Sequence, residues 1–320
     1  MKLSDIVKFR QSVDKLNIKT TQSCLHDFKD KLVGTMETND WDFADTKKNI
    51  YADVAEIISK LDTIEQNLKK YSGHVSEMQT KMDADYYEES KSIYDATLHD
   101  ELIYILERST NTRNEILEKD WNLFISRIKL YTDFRFPGLH IRPLDGTISD
   151  HLKALDPLYL VDTNIDYLEQ AKTLWSDSYQ KRLRYYEIRE HDSDPTASLP
   201  QEQFSFVLAT EFFEYKTIDV IEKYLNSVYK LLKPGGTFLC TFNNCETVKG
   251  VRMVESKFCT YTPATKLWQT AHKIGYECTA QITCEPNLSW FELRKPGQLH
   301  SIRDGQTLAA IKQLSGPELT

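Results

Sequence analysis

Two β-type runs near the end of the chain, Tyr276 to Cys284 and Leu288 to Arg294, are separated only by Glu285, Pro286 and Asn287. A parallel connection needs a crossover of a dozen or more residues, so these two strands must pair antiparallel. The preceding pattern differs. From Pro137 onward short β-type runs alternate with helical stretches: Leu139 to Ile141, Leu158 to Val161, Arg184 to Ile188, Phe204 to Ala209 and Thr237 to Phe242. Helices are expected over 149–155, around Ile165, Leu168 and Ala171, and over 218–232, where the turn Lys233-Pro234-Gly235-Gly236 comes next. Thr262-Pro263 marks a further helix start and Gly275 its end. Such alternation predicts an α/β domain with a mainly parallel sheet, here five parallel units closed by an antiparallel hairpin.

The N-terminal part has another period. Ile50, Val54, Ile57, Leu61, Ile64, Leu68, Tyr71, Val75, Met78 and Met82 recur at alternating intervals of four and three, an unbroken 3.5-residue repeat. This predicts a coiled-coil helix roughly 50 Å long at ~1.5 Å per residue. With Ile50, Ile57 and Ile64 at d and Val54, Leu61, Leu68 and Val75 at a, parallel dimers are disfavoured relative to higher oligomers. Self-association through residues 50–82 is therefore expected. The alternative is a hairpin within one chain, against the shorter stripe of Leu3, Ile6, Val7, Val13 and Leu16. Gly73 should weaken the helix by about 1 kcal/mol. A cluster of capping residues, 109–112, precedes another expected helix near 113–131. The organisation is then a helical, coiled-coil region over 1–110, an α/β domain over 111–300 and a tail over 301–320, expected to pack as a final helix.

Composition narrows the function. A formal net charge of −8 disfavours broad binding to nucleic-acid phosphates. The six cysteines form no CxxC pair, and the eight histidines no HExxH, so no metal site is expected. No apolar run approaches the ~18 to 20 residues of a membrane span, and MKLSDIVKFR is too charged for a signal segment, so a cytoplasmic setting is expected.

Four stretches carry a family resemblance: LHIRPLDGTISDHL, PLYLVD, ASLPQEQFSFVLATEFFEY and YKLLKPGGTFLCTF, in order over residues 113–296. Together they resemble the class I S-adenosylmethionine-dependent methyltransferases, whose Rossmann-like, seven-stranded sheet ends in an antiparallel hairpin. The resemblance implies S-adenosylmethionine as cofactor, with the first and fourth strands flanking its crevice, where open α/β sheets bind ligands. It implies Asp162, at the end of the second strand, as the acceptor for ribose hydroxyls, and Asp192, with Asp194 as the alternative, as the acid near the adenine. Ala209 ends the fourth strand beside the crevice. A nicotinamide-binding domain would need GxGxxG after the first strand, which is absent.

The glycine-rich first motif of that family, commonly GxGxG, aligns here with Arg142, Pro143, Leu144, Asp145 and Gly146. Glycine serves such a loop by accepting positive φ and admitting the ligand close to the backbone. Leu144 brings an isobutyl group into space expected for the cofactor. Arg142 has two opposite readings: a charge-assisted partner of the cofactor's carboxylate, or a plug that crosses the crevice to Asp162 or Glu211. Candidate substrate-facing residues are Glu211, Phe212, Phe213 and Tyr215 after the fourth strand and Asn243 and Asn244 after the fifth, with Glu211 as general base if the acceptor carries a proton. Ala209-Thr210-Glu211-Phe212 departs from the Asn/Asp-Pro-Pro-aromatic tetrad of the enzymes that methylate DNA-base amines, leaving a small molecule or a protein side chain as acceptor. The competing reading is a noncatalytic scaffold that has lost its cofactor and works through its coiled coil.

Overall fold

The computed structural model describes residues 2–15, 44–97 and 113–299, except 174, 191 and 285–287, with a few isolated positions between 23 and 34. The expected caps at 109–112 and the tail at 301–320 lie outside the described residues. The chain divides into two units, Met1–Asp85 and Tyr86–Thr320.

In the first unit, α1 (Leu3–Lys15) buries Leu3, Ile6 and Val7, the i, i+3, i+4 face of an amphipathic helix. The 3.5-residue repeat falls within one continuous helix, α2 (Ala44–Thr97, 54 residues). It passes straight through Gly73, where a side chain would meet nothing within 4 Å. Arg10 of α1 donates to Gln79 Oε1 of α2 at 3.2 Å, so the two helices touch within the unit. Ile64, Tyr71 and Met78, seven residues apart, are 54%, 61% and 40% exposed.

In the second unit α3 (Glu118–Leu130) precedes the sheet. It begins later than 113 because Leu117 is extended (φ −64°, ψ 139°). The strands are β1 (Gly138–Ile141), β2 (Leu158–Asp162), β3 (Leu183–Glu187), β4 (Phe204–Ala209), β5 (Leu232–Thr241), β6 (Glu277–Cys284) and β7 (Leu288–Arg294). Between them lie α4 (Ile165–Lys172), α5 (Asp177–Gln180), α6 (Ile218–Leu231), α7 (Val248–Glu255) and α8 (Ala264–Ile274). The seven strands form one sheet ordered β3-β2-β1-β4-β5-β7-β6. All neighbours from β3 to β5 are parallel, and β7 runs antiparallel to both β5 and β6. The order reverses between β1 and β4, and their paired ends, Ile141 opposite Ala209, mark the crevice.

Apolar residues cover both faces. Leu139, Ile141, Val207 and Phe238 pack with α6 and α8 on one side, and Leu158, Leu160, Phe206 and Trp290 lie in the cluster with α3 and α4 on the other. Continuous burial of β1 and β4 is what a parallel strand covered on both faces requires. A buried bidentate pair fixes α3: Arg127 donates from Nε to Glu292 Oε1 at 2.7 Å and from Nη2 to Oε2 at 2.5 Å, with Tyr131 also donating to Glu292.

Two local expectations change, and one helix is new. The helix over 149–155 is a single 3-10 turn, Ser149–Leu152. Lys233-Pro234-Gly235-Gly236 is an irregularity within β5, whose pairing with β4 shifts between Phe204 and Phe206, and Gly235 takes φ +82° there. Finally α7, which has no apolar period long enough to announce it, fills the span between β5 and α8; Thr247 caps it by accepting from Gly250 N.

Candidate active site

The loop leaving β1 takes a path made for glycine. Arg142, Leu144 and Gly146 have φ of 59°, 49° and 74°, so left-handed backbone recurs at every second residue although only the last is glycine. Arg142 N donates to Val161 O at 2.8 Å and Gly146 N to Pro143 O at 2.8 Å, tying the loop to β2 and closing its turn. Beneath it His140, fully buried, bridges Ser149 Oγ (2.7 Å) and Thr210 Oγ1 (3.1 Å), and burial pushes its pKa down to about 3. A neutral imidazole therefore links the loop after β1 to that after β4. Leu144 is 1% exposed.

Asp162 ends β2 with no exposed surface. Its Oδ1 accepts from Asn164 N (3.2 Å) and Thr163 Oγ1 (3.3 Å), whereas Oδ2 is buried without a hydrogen-bond partner. Arg142 Nε stands 3.9 Å from Oδ2, too far for a hydrogen bond, and is itself unpartnered. The guanidinium lies 5.0 Å from the Phe212 ring centroid and 5.9 Å from that of Tyr167. Of the two readings of Arg142, the structure therefore has it facing Asp162 across the crevice. Burial raises the Asp162 pKa, and the Arg142 charge only partly opposes that.

The acid turned inward after β3 is Glu190, neither Asp192 nor Asp194. Asp192 is exposed, and Asp194 is engaged by Lys230 at 2.8 Å and by Thr196 N. Glu190 is buried and accepts from Lys216 Nζ (2.9 Å), Tyr224 OH (3.2 Å) and Tyr94 OH, the last from the end of α2. Burial alone would raise its pKa, but the Lys216 ammonium and these donors hold it low.

Past β4, Glu211 takes φ 51° and its Oε1 accepts from Arg113 Nε at 2.8 Å. Arg113 also reaches Asp145 at 3.3 Å, spanning the loops after β1 and β4. Glu211 and Glu214 line a cavity of about 40 Å³ with Tyr215, Asn243 and Asn244, and the Oε2 atom of each glutamate is buried and unpartnered. At ~10–15 Å³ per water that is room for about three or four. Burial, reinforced by the Glu211 charge, raises the Glu214 pKa to about 7. The asparagines are partly committed: Asn243 Nδ2 donates to Gly250 O (3.1 Å) and Thr260 O (3.2 Å), and Asn244 Nδ2 to Thr283 Oγ1 (3.1 Å). Phe212 and Phe213 are fully buried packing residues, Phe212 stacking edge-on with Tyr224.

Arg142, Leu144, Gly146, Asp162 and Ala209 thus converge at the β1/β4 crevice, and Glu211, Tyr215, Asn243 and Asn244 at the adjoining cavity; Asp192 joins neither group. Glu190, Lys216, Arg113 and Glu214 were not singled out from the sequence. Only the Glu211-to-Glu214 spacing, one helical turn, hinted that two carboxylates could share a side.

Residues 145–240 match the family model described as "Methyltransferase domain". No curated protein matches the chain in sequence. Among solved structures, the complex between the Haloferax volcanii Trm112 methyltransferase activator and the putative methyltransferase is similar at 13% identity and TM-score 0.49, over 62% of this chain and 97% of that one. A SAM-dependent methyltransferase from Aquifex aeolicus gives 10% identity and TM-score 0.46 over 61% and 98%. The N-methyltransferase NodS from Bradyrhizobium japonicum WM9, in complex with S-adenosyl-L-homocysteine, gives 14% and 0.44 over 56% and 87%.

Proposed function

We propose that this chain, which matches a methyltransferase-domain family over residues 145–240 and whose seven-stranded sheet ends in an antiparallel hairpin, binds S-adenosylmethionine at the β1/β4 crevice and methylates an acceptor held in the adjoining cavity. One observation carries the reading. Asp162 Oδ2 is a buried acceptor with no partner, at the end of β2 beside a loop that still keeps the glycine path. A buried orphan oxygen costs on the order of 1–3 kcal/mol, so the site favours a ligand that donates a hydrogen bond there. A ribose hydroxyl fits that demand.

Asp162 would hold the sugar and the loop from Arg142 to Gly146 the amino-acid end. Ala209 closes β4 opposite Ile141, where the two strand ends mark the crevice. Arg142 must leave Asp162 for the ligand to enter, which frees its guanidinium for a carboxylate. The bound cofactor supplies an electrophilic methyl group on a sulfonium. The protein's part is to exclude water, align the acceptor and remove a proton where the acceptor carries one. Glu211 is committed to Arg113, leaving Glu214 better placed as the base.

Titration calorimetry with S-adenosylmethionine and its demethylated product tests this. Micromolar binding of either, weakened at least tenfold by Asp162→Ala, is the expected result. No binding by the full chain would leave the scaffold reading, which the Arg142–Asp162 approach favours. We also propose self-association through the 50–82 face, supported by the exposure of Ile64, Tyr71 and Met78. Sedimentation of the full chain should show an oligomer that Ile64→Asp with Met78→Asp dissociates; a monomeric wild type refutes it.

A further inference from the structure

The cavity beyond β4 and β5 has a chemistry that limits what can enter it. Of its lining side chains the ionisable ones are two glutamates, a tyrosine and two cysteines; none is Lys, Arg or His. Glu211 and Glu214 each keep one carboxylate oxygen buried and unpartnered. The cation that pairs with Glu211, Arg113, is not among the lining residues and is engaged by Glu211 Oε1 and Asp145. Asn243 spends its amide hydrogens on Gly250 O, Thr260 O and Cys245 Sγ, so it does not serve those oxygens. The remaining surroundings include apolar and aromatic side chains: Phe242, Met253 and Phe258.

Orphaned carboxylate oxygens in a partly open, partly aromatic pocket call for a ligand that brings donors and positive charge. An anion would meet like charge, and an alcohol could supply one donor where two acceptors stand open. An ammonium group has three N–H donors, and aromatic faces favour a cation. The volume, about 40 Å³, takes the tip of an alkyl chain and no ring system.

We propose that the acceptor class of this site is an alkylammonium group, held between Glu211 and Glu214, with Glu214 Oε2 taking a proton from the nitrogen. The inference rests on the methyltransferase reading for the methyl-transfer step after deprotonation, and on the cavity alone for binding. The proton balance is simple: R–NH3+ and the Glu214 carboxylate become R–NH2 and the Glu214 carboxylic acid, and the freed lone pair makes the nitrogen nucleophilic. Burial that lifts Glu214 to about 7 fits a base that is half-loaded near neutral pH. The source of the ammonium is a free amine or a lysine side chain, and the cavity treats them alike.

The test uses the full chain without cofactor. Butylammonium, butanol and butyrate are titrated against it by NMR, monitoring the Thr283 and Ser289 amides at the cavity. Butylammonium should bind at least tenfold tighter than butanol, butyrate should not bind, and Glu214→Gln should cost butylammonium about tenfold while leaving butanol unchanged. Equal binding of amine and alcohol, or an unaffected Glu214→Gln, overturns the proposal; the first comparison needs no variant. A lysine-containing hexapeptide binding more tightly than butylammonium assigns the source to protein, and the reverse to a small molecule; both support the ammonium class. S-adenosylmethionine titrated into the same sample reads the cofactor proposal separately, since amine binding without cofactor binding refutes that reading and leaves this one intact.

Discussion

Replacing Arg142 by glycine sets two effects of opposite sign against each other. Arg142 sits at φ 59°, where a non-glycine residue costs about 1–2 kcal/mol, and Arg142→Gly releases that. The same change removes the cation nearest Asp162 Oδ2, on a carboxylate with no exposed surface and no partner for that oxygen. Breaking a buried pair costs about 3–5 kcal/mol, reduced where water can enter. The loss wins, leaving a net destabilisation of about 2–3 kcal/mol, or roughly 5–10 °C in thermal midpoint for a domain of this size. Its pH dependence comes from the protonation states. Burial raises the Asp162 pKa, so the folded state holds its proton more tightly than the unfolded one, and stability falls as pH rises above the ordinary carboxylate range. Without Arg142 that fall steepens, so the penalty should be larger at pH 8 than at pH 5. Arg142→Gly with Asp162→Asn keeps the relieved backbone and discards the charge, and should return close to wild type. Thermal unfolding of the four proteins of this cycle, monitored by tryptophan fluorescence at both pH values, measures the coupling. A single-variant penalty below 1 kcal/mol, a pH-independent one, or a double variant no more stable than the single refutes the reasoning.

Glu214→Gln should stabilise the protein by roughly 1–3 kcal/mol at pH 8 and change little at pH 4, because wild-type stability falls as pH rises from the unfolded carboxylate value through about 7; urea titrations at the two pH values check it. His140, depressed to about 3, contributes stability that is present above its ordinary value and is lost as pH falls from about 6.5 toward 3, so His140→Gln should flatten the acid limb of a stability-versus-pH curve. Arg127→Met should cost about 3–5 kcal/mol by stranding Glu292, and Arg127→Met with Glu292→Leu should recover most of it, as seen in denaturant midpoints.

The sheet was largely legible because its signals are local. β1, β2 and β4 are short apolar runs, and the three-residue link before Leu288 forces the hairpin. Strand order was not legible from periodicity, since no local pattern says that β7 inserts between β5 and β6. The crevice loop misled in an instructive way. Glycine is the sequence's clearest sign of positive φ, and Arg142 and Leu144 adopt it without that sign, held by the hydrogen bond from Arg142 N to Val161 O and by burial of both side chains. Glu190 and Glu214 look like any acids in an acidic chain; what distinguishes them is the absence of solvent, which only packing creates. The resemblance points to Asp192 or Asp194, yet the chain turns Asp192 outward and turns Glu190 inward two positions earlier.

The Arg127–Glu292 clasp joins residues 165 positions apart, linking the helix that opens the α/β domain to the strand made last. Until Glu292 is in place, Arg127 lacks the carboxylate that neutralises it, and the slot between β5 and β6 stands open on both edges. During synthesis the domain therefore cannot lock before nearly all of it has left the ribosome, and its nascent form must wait with an unpaired charge and two bare strand edges. Long-range closure of this kind makes for slow folding and for dependence on whatever shields those edges meanwhile.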